Sequence, residues 1–340
     1  MRLGLWKWLT LNVYKYRSGS VRDIEALMNN QFFSASLESL NDIQEAKIKI
    51  NDTEIDVFDI FLKSATSQSV DNSFKNILEN FINEAKKYGI YSLSKNYDNE
   101  LLWAYYSNAH QGFCIEYDLD ILKQCQLNQE FFSDVEYHKD MPVIELNDML
   151  EPKDLVKKLL AIKSIAWKHE EEFRIITGTI GIYHFYNRSV KSIYLGYRTP
   201  ENTIKLIMST LRGRGIKYYK MHPKQDLYEL ERIEIEDVYK DYSIYANKTN
   251  KFVPTFDEIT EPYRDLILKA IIIVEQEPIC EEATDADISS SKGTKENPVF
   301  YVTYKNKIKN SFTTINYFIS KEEIEEVFSR SILSRCEIHT

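Results

Sequence analysis

Glycine is scarce in this 340-residue chain, with 10 residues, about 3% against the roughly 7% of average usage. Phosphate cradles built from repeated glycines are therefore disfavoured, and neither GxxxxGK(S/T) nor GxGxxG occurs. GxSxG, HExxH and CxxC pairs are missing too, which removes serine hydrolases, zinc proteases and redox enzymes with those signatures. The four cysteines, Cys114, Cys125, Cys280 and Cys336, lie too far apart for zinc or redox motifs and read as reduced thiols of a cytosolic protein. Six histidines are scattered singly, so any metal site would have to mix one or two of them with carboxylates. Positive charge is outnumbered, 43 Lys and Arg against 52 Asp and Glu, a net −9 that argues against wholesale binding of duplex nucleic acid but leaves room for a local basic groove.

Long apolar runs are absent as well. Leu266–Val274 is too short for the roughly 20 residues of a membrane span and contains Lys269. Met1–Leu11 sets Trp6 and Trp8 around Lys7 and lacks the apolar core and small-residue cleavage site of a signal peptide. A soluble, cytoplasmic protein with no membrane partner is expected. What the chain does have is 43% hydrophobic and 28% charged residues, ordinary for a globular protein, together with 23 tyrosines and 17 phenylalanines.

Periodicity predicts strands at 10–18, 31–36, 90–94, 113–117, 173–177, 190–195, 216–219 and 227–230. Helices are predicted at 22–30, across 56–87 with a polar interruption at 64–72, at 101–109, from Pro152 to His169, and at 201–211. The order lacks regular βαβ alternation, so an α+β fold is expected for a domain spanning 1–240. Residues 241–340 read as a small α+β accessory unit. It has a helix at 262–273, a polar flexible insert at 281–298, paired strands near 300–304 and 312–318, and a last helix to Arg330 capped by Ser320 and Glu323.

Three polar clusters sit beside predicted strands. In Tyr14-Lys15-Tyr16-Arg17 the guanidinium is a bidentate clamp for phosphate, or else a sheet-end arginine paired with a carboxylate. Ser92-Leu93-Ser94 precedes a helix that sets Trp103, Tyr106 and His110 on one face, either a pocket for a planar ring or plain core. Lys163, Trp167 and Glu170 fall at i, i+4 and i+7 on the predicted helix, and Glu170, Glu172 and Arg174 follow at period two. Two carboxylates so aligned need hydration or pairing. Asn41-Asp42 with Glu45 forms a fourth, polar turn.

Read in order, these residues resemble a bacterial family labelled domain of unknown function 2971. The matching positions are Tyr14-Lys15-Tyr16-Arg17, Asn41-Asp42 with Glu45, Ser92-Leu93-Ser94, Trp103, Tyr106 with His110-Gln111-Gly112-Phe113, and Lys163, Trp167, Glu170, Glu172 and Arg174. The resemblance covers about 10–230; the family usually has a proline after the Asn-Asp pair, where this chain has Ile43. A looser resemblance, to arginine–serine–glutamate ADP-ribosyltransferases, rests on Arg17, Ser92 with Ser94, and Glu170 with Glu172. It implies a split sheet flanked by helices and NAD as substrate. Arg17 would hold the NAD phosphate, Ser92 and Ser94 would support the nicotinamide pocket, and Trp103 or Tyr106 would shelter the departing ring. Tyr14, Lys15, Lys163, Trp167 and Arg174 count with them as cofactor-binding candidates. Glu172 would stabilise the oxocarbenium-like ribose, Glu170 would orient or deprotonate the acceptor, and His110 is a further catalytic candidate. Such an enzyme would modify a macromolecular acceptor, protein or nucleic acid, or hydrolyse NAD, as a toxin or anti-phage effector; self-association stays open. Two other readings remain: a metal-dependent nuclease or phosphodiesterase using Asp42, Glu45, His110 and Glu170, and a non-catalytic nucleotide-binding module. Convergence of Arg17 and Glu172 on one cleft would favour the first reading, and clustering of the carboxylates with His110 the second.

Overall fold

Alternation of Val13, Lys15 and Arg17 with Tyr14 and Tyr16 makes Asn12–Arg17 a strand (β1) with two chemically different faces. In the computed structural model, which describes residues 11–51, 53, 74–125, 129–145, 148, 152–308 and 314–336, β1 lies inside an eight-stranded sheet. The other strands are Gly89–Ser94 (β2), Phe113–Asp118 (β3), Gln129–Asp134 (β4), Glu172–Thr177 (β5), Val190–Leu195 (β6), Lys217–Pro223 (β7) and Leu230–Ile235 (β8), ordered β8-β7-β6-β3-β1-β2-β5-β4. Only β6 and β7 pair in parallel, so the sheet is mixed and the fold is α+β. β3 and β5 are buried at every position, which forces their charged residues Glu116, Asp118, Glu172 and Arg174 to find partners inside the protein.

The sheet is not uniformly zipped. β1 pairs with β3 along its whole length, Asn12 with Asp118 through Arg17 with Phe113. β2 pairs with β5 just as fully, Glu172 with Ser94 through Thr177 with Gly89. Between them, β1 and β2 meet only where Tyr14 faces Ser94. Beyond that contact the two halves part, and the ladder groups on the parting edges must be satisfied by other means.

Helix Val21–Met28 follows β1, closed by a capping box between Ser20 and Asp23. Helix Glu100–Tyr106 starts on Asn99, whose side chain accepts from Leu101 and Leu102 N–H. Of the helix expected across 56–87, Phe74–Ala85 is observed, while 54–73 lie outside the described residues, as do Met1–Thr10 with Trp6 and Trp8. The helix opened by Pro152 ends at Leu160, well short of His169. Ile162–Ser164 is instead a strand, parallel to Glu136–His138, and Ile165–Glu170 winds as a 3-10 helix capped by Ser164. Apolar periodicity runs on through Ile162 and Ile165, but strand pairing and the buried partners of Lys163 override it. Gln129–Asp134 and Gly181–His184 are strands, and Leu119–Gln124 is a helix, that the pattern did not predict; the last large-sheet strand is Leu230–Ile235 rather than 227–230.

Past residue 240, helix Arg264–Glu275 packs on a three-stranded sheet of Cys280–Gly293 (β9), Pro298–Asn306 (β10) and Thr314–Ser320 (β11), followed by helix Lys321–Cys336. The stretch expected to be a flexible insert is mostly β9. Its inward residues are the small Cys280, Ala283 and Ala286, which carry little hydrophobic signal, while Ser289 is half-exposed and Ser290 and Ser291 are exposed toward the strand's end. The Ser320–Glu323 capping box is present, Ser320 N–H donating to Glu323 and Glu323 N–H to Ser320 Oγ. The buried apolar cluster is continuous from the large sheet into this region. Its seam is the 3-10 turn Asn187–Ser189, where Tyr186 rests on Tyr317 at 4.4 Å and Arg188 lies 4.8 Å from the same ring. Among the described residues, no helix is long and apolar enough to cross a membrane.

Candidate functional site

Where β1 and β2 part, a cleft of about 480 Å³ opens, lined by Lys15, Arg17, Ser92, Ser94, Tyr106, Lys163, Glu170, Glu172 and Arg174 among others. The gap leaves the Ser92 carbonyl without a ladder partner from β1, and the Lys15 ammonium takes its place, donating at 2.6 Å. Arg17 lies 5.9 Å from the Tyr91 ring and 3.8 Å from Asp23, the acid of the capping box that opens the first helix. That wall is cationic.

The opposite wall is a chain of alternating charges. Lys163 Nζ donates to Glu170 Oε2 at 2.6 Å and to Glu172 Oε2 at 3.3 Å. Arg174 grips Glu172 with two parallel bonds, Nε to Oε1 at 2.8 Å and Nη2 to Oε2 at 3.0 Å. Its Nη1 donates to the Leu160 carbonyl and sits 2.6 Å from Glu45 Oε1, a charged contact without an aligned hydrogen bond. Tyr106 OH donates to Glu170 Oε1 at 2.6 Å, and Ser94 Oγ to the Glu170 carbonyl at 2.8 Å. Glu171 between the two acids is left-handed, φ 43° and ψ 54°, and this kink, not strand alternation, brings Glu170 and Glu172 to one ammonium.

Burial alone would raise the Glu172 carboxyl, but the Arg174 charge and hydrogen bonds, then Lys163 and the Ser92 hydroxyl, hold it down to about 2. Burial would lower Lys163, and Glu172 and Glu170 outweigh it, so its pKa is raised. Glu45 moves upward because burial there is only partly offset by Arg174. Burial and the Glu170 contact push the Tyr106 phenol up. Glu172 is thus a rigid, ionised carboxylate.

Most of the remaining expected site residues lie elsewhere. Trp103 is fully buried, its indole N–H donating to the Tyr97 carbonyl at 2.7 Å and its ring edge-on to Tyr16. It is core, whereas Tyr106 on the same helix faces the cleft. Trp167 lies outside the cleft lining, its ring 4.7 Å from Lys163 Nζ. Tyr14 lines the cleft but spends its hydroxyl on Glu116 at 3.2 Å. His110, expected to be catalytic, stacks on Trp103, 6.3 Å between rings, and does not line the cleft; burial and Arg198 lower its pKa. Asp42 and Glu45 line a separate cavity of about 420 Å³ with Leu159 and Leu160. Among the described residues no three His, Cys, Asp or Glu side chains converge as metal ligands, so the expected set Asp42, Glu45, His110 and Glu170 does not come together.

His110-Gln111-Gly112-Phe113 has a structural task instead. Asn108, Ala109 and His110 are left-handed, and the turn they make presses Gly112 against the end of β1. A Cβ at Gly112 would sit 2.0 Å from the Arg17 carbonyl oxygen. Gly112→Ala should therefore shift Arg17 and destabilise the fold by about 1–3 kcal/mol, read as a lower urea midpoint; an unchanged midpoint would mean the turn yields freely. Tyr91, which opens the cluster Tyr91-Ser92-Leu93-Ser94, underlies both cations of the β1 wall. Outside the cleft lining, Tyr137 escaped the sequence reading; its hydroxyl accepts the Glu172 N–H at 2.7 Å. The alternation Val135, Tyr137 was the only signal for it.

Residues 102–175 match the model of a family described as Protein of unknown function (DUF2971). No curated relative and no solved structure matches the chain. The matched span runs from the Trp103 helix to Arg174 and so includes the carboxylate wall and the His110–Phe113 turn. Arg17, Asn41-Asp42 and Ser92-Leu93-Ser94, which also suggested this family, lie outside it.

Proposed function

We propose that the cleft binds NAD and cleaves its nicotinamide–ribose bond, passing ADP-ribose to a macromolecular acceptor or to water. The reading is supported by one observation above all: Arg17, Ser92 with Ser94, and Glu170 with Glu172 come from separate stretches of chain and line one cleft at the parting of β1 and β2. Arg17 would supply the fixed positive charge that takes the pyrophosphate, with Lys15 beside it as a further N–H donor. Ser92, Ser94 and Tyr106 would border the nicotinamide. As the bond breaks, its electron pair leaves with nicotinamide and positive charge grows on the ribose, where the fixed charge of Glu172 acts most strongly in the transition state. Water or an acceptor hydroxyl then adds at the same carbon, losing its proton to Glu170.

A binding-only reading is favoured by one detail. Both oxygens of Glu172 are already engaged, by Arg174 and Lys163, and those of Glu170 by Tyr106 and Lys163. The test is calorimetric titration with NAD alongside an assay for released nicotinamide. We expect binding that Arg17→Ala weakens about 10–100-fold, as loss of a charge-assisted clamp implies, together with nicotinamide release. Tight binding without release, with and without cell extract as acceptor source, would leave only the binding module. No binding at millimolar NAD would end both readings.

A further inference from the structure

We propose that Lys15 is a reactive amine that captures phosphorylated aldehydes as a Schiff base, with Arg17 holding the phosphate. The argument starts from who is left to pair with Lys15. Lys163 takes both cleft carboxylates, at 2.6 and 3.3 Å, and Asp23 is turned to Arg17. The Lys15 ammonium has the neutral Ser92 carbonyl at 2.6 Å and the Tyr91 ring at 4.9 Å. A guanidinium stands two residues along the same strand and over the same ring. A cation so placed is held by weak partners and repelled by a strong neighbour, which favours the neutral, nucleophilic form.

The groups that face Lys15 are Arg17 on its own strand, Tyr91 on β2, Cys114 on β3, Asp23 on the first helix, and Glu170 and Glu172 across the cleft. Burial and then Arg17 lower its pKa to about 7, with only partial offset from Glu172, Glu170 and Asp23. Lys163 in the same cleft moves the other way. The two amines of the cleft are thus shifted in opposite senses, Lys15 toward the neutral form and Lys163 toward the charged one.

The step needs no further reagent. The Lys15 nitrogen adds to the aldehyde carbon, the carbonyl oxygen leaves as water with two protons, and a carbon–nitrogen double bond remains. An aldehyde carrying a phosphate a few bonds away, such as a ring-opened sugar phosphate, fits a nucleophile and an arginine two strand residues apart.

Pyridoxal 5′-phosphate is the probe, trapped with borohydride and mapped by mass spectrometry on the full chain. Lys15 should label first, at least 10-fold faster than any other lysine, with a rate that is half-maximal near pH 7. Pyridoxal lacking the phosphate should label Lys15 at least 10-fold more slowly, and Arg17→Ala should remove that difference. Labelling of Lys15 no faster than surface lysines, or rising only near pH 10, would overturn the proposal, as would equal rates for the two aldehydes. The wild-type comparison decides even if the variant fails to fold. The outcome is also separate from NAD cleavage, since the probe is neither NAD nor its product.

Discussion

Arg174→Ala should lower folding stability by about 3–5 kcal/mol, the usual effect of removing one partner from a buried ionic group. Arg174 is fully buried, and it answers two carboxylates that are themselves almost inaccessible, Glu172 and Glu45. Without it Glu172 keeps the Ser92 hydroxyl and Lys163, which is shared with Glu170, and Glu45 loses its ion-pair partner. Arg174→Lys retains the charge but not the two-pronged grip on Glu172 or the bond to the Leu160 carbonyl, and should recover only part of the loss. Glu172→Gln should also be costly, by roughly 3 kcal/mol from the distance between its folded pKa of about 2 and the ordinary value of 4.5. A carboxylate at a strand start is usually exposed, whereas this one is 4% exposed at the edge of the cleft. The sign with pH follows. A depressed carboxyl contributes stability that is complete above pH 4.5 and disappears as pH falls through about 2. Urea denaturation of the wild type and the three variants at pH 7 and pH 3.5 tests the network. A loss under 1 kcal/mol for Arg174→Ala would mean that water or a rearrangement already satisfies both acids.

The strands that build the cleft were legible because their alternation is local: Asn12–Arg17, Gly89–Ser94 and Glu172–Thr177 fall close to their predicted places. The pairing of Arg174 with Glu172 was also legible, since residues two apart on a strand share a face. Which strands would lie side by side was not, because β1 and β2 are separated by more than seventy residues and touch at one position. That single contact makes the cleft. The helical face proposed for Lys163, Trp167 and Glu170 does not exist, yet Lys163 does meet Glu170, through a 3-10 turn and a left-handed Glu171 that no periodicity announces. Trp103, read as a pocket ring or plain core, lies in the core, and half-exposed His110 stacks on it away from the cleft. The same composition of aromatic, imidazole and glycine serves a tight turn as readily as a site. Glu45 behind Arg174 and Tyr137 beneath Glu172 depend on long-range placement alone.

The seam with residues 264–336 titrates in the opposite sense. Glu277 is buried just past helix Arg264–Glu275, accepting the Asn187 N–H at 2.8 Å and the Tyr317 hydroxyl at 3.3 Å. Burial raises its pKa from 4.5 to about 7, against smaller downward pulls from the Asn187 bond, Arg188, Arg214 and Tyr317. Below pH 4.5 the carboxyl is protonated in both folded and unfolded chains, and nothing is lost. Between 4.5 and 7 the unfolded chain ionises first, so stability falls as pH rises, by roughly 3 kcal/mol in all. Above 7 the loss is complete. Glu277→Gln removes the charge, keeps one oxygen for the Asn187 N–H, and turns its amide NH2 to the Tyr317 hydroxyl, which then accepts. The two arginines nearby do not depend on it: Arg188 also meets Glu323, Gln124 and the Phe318 carbonyl, and Arg214 meets Asn30 and the Met28 carbonyl. The variant should therefore match the wild type near pH 4.5 and exceed it at pH 8 by a margin approaching that 3 kcal/mol. Urea midpoints of both proteins at pH 5, 6, 7 and 8 decide the matter. Parallel curves would show that Glu277 is already ionised in the folded protein, with Arg188 and Arg214 as effective counter-charges.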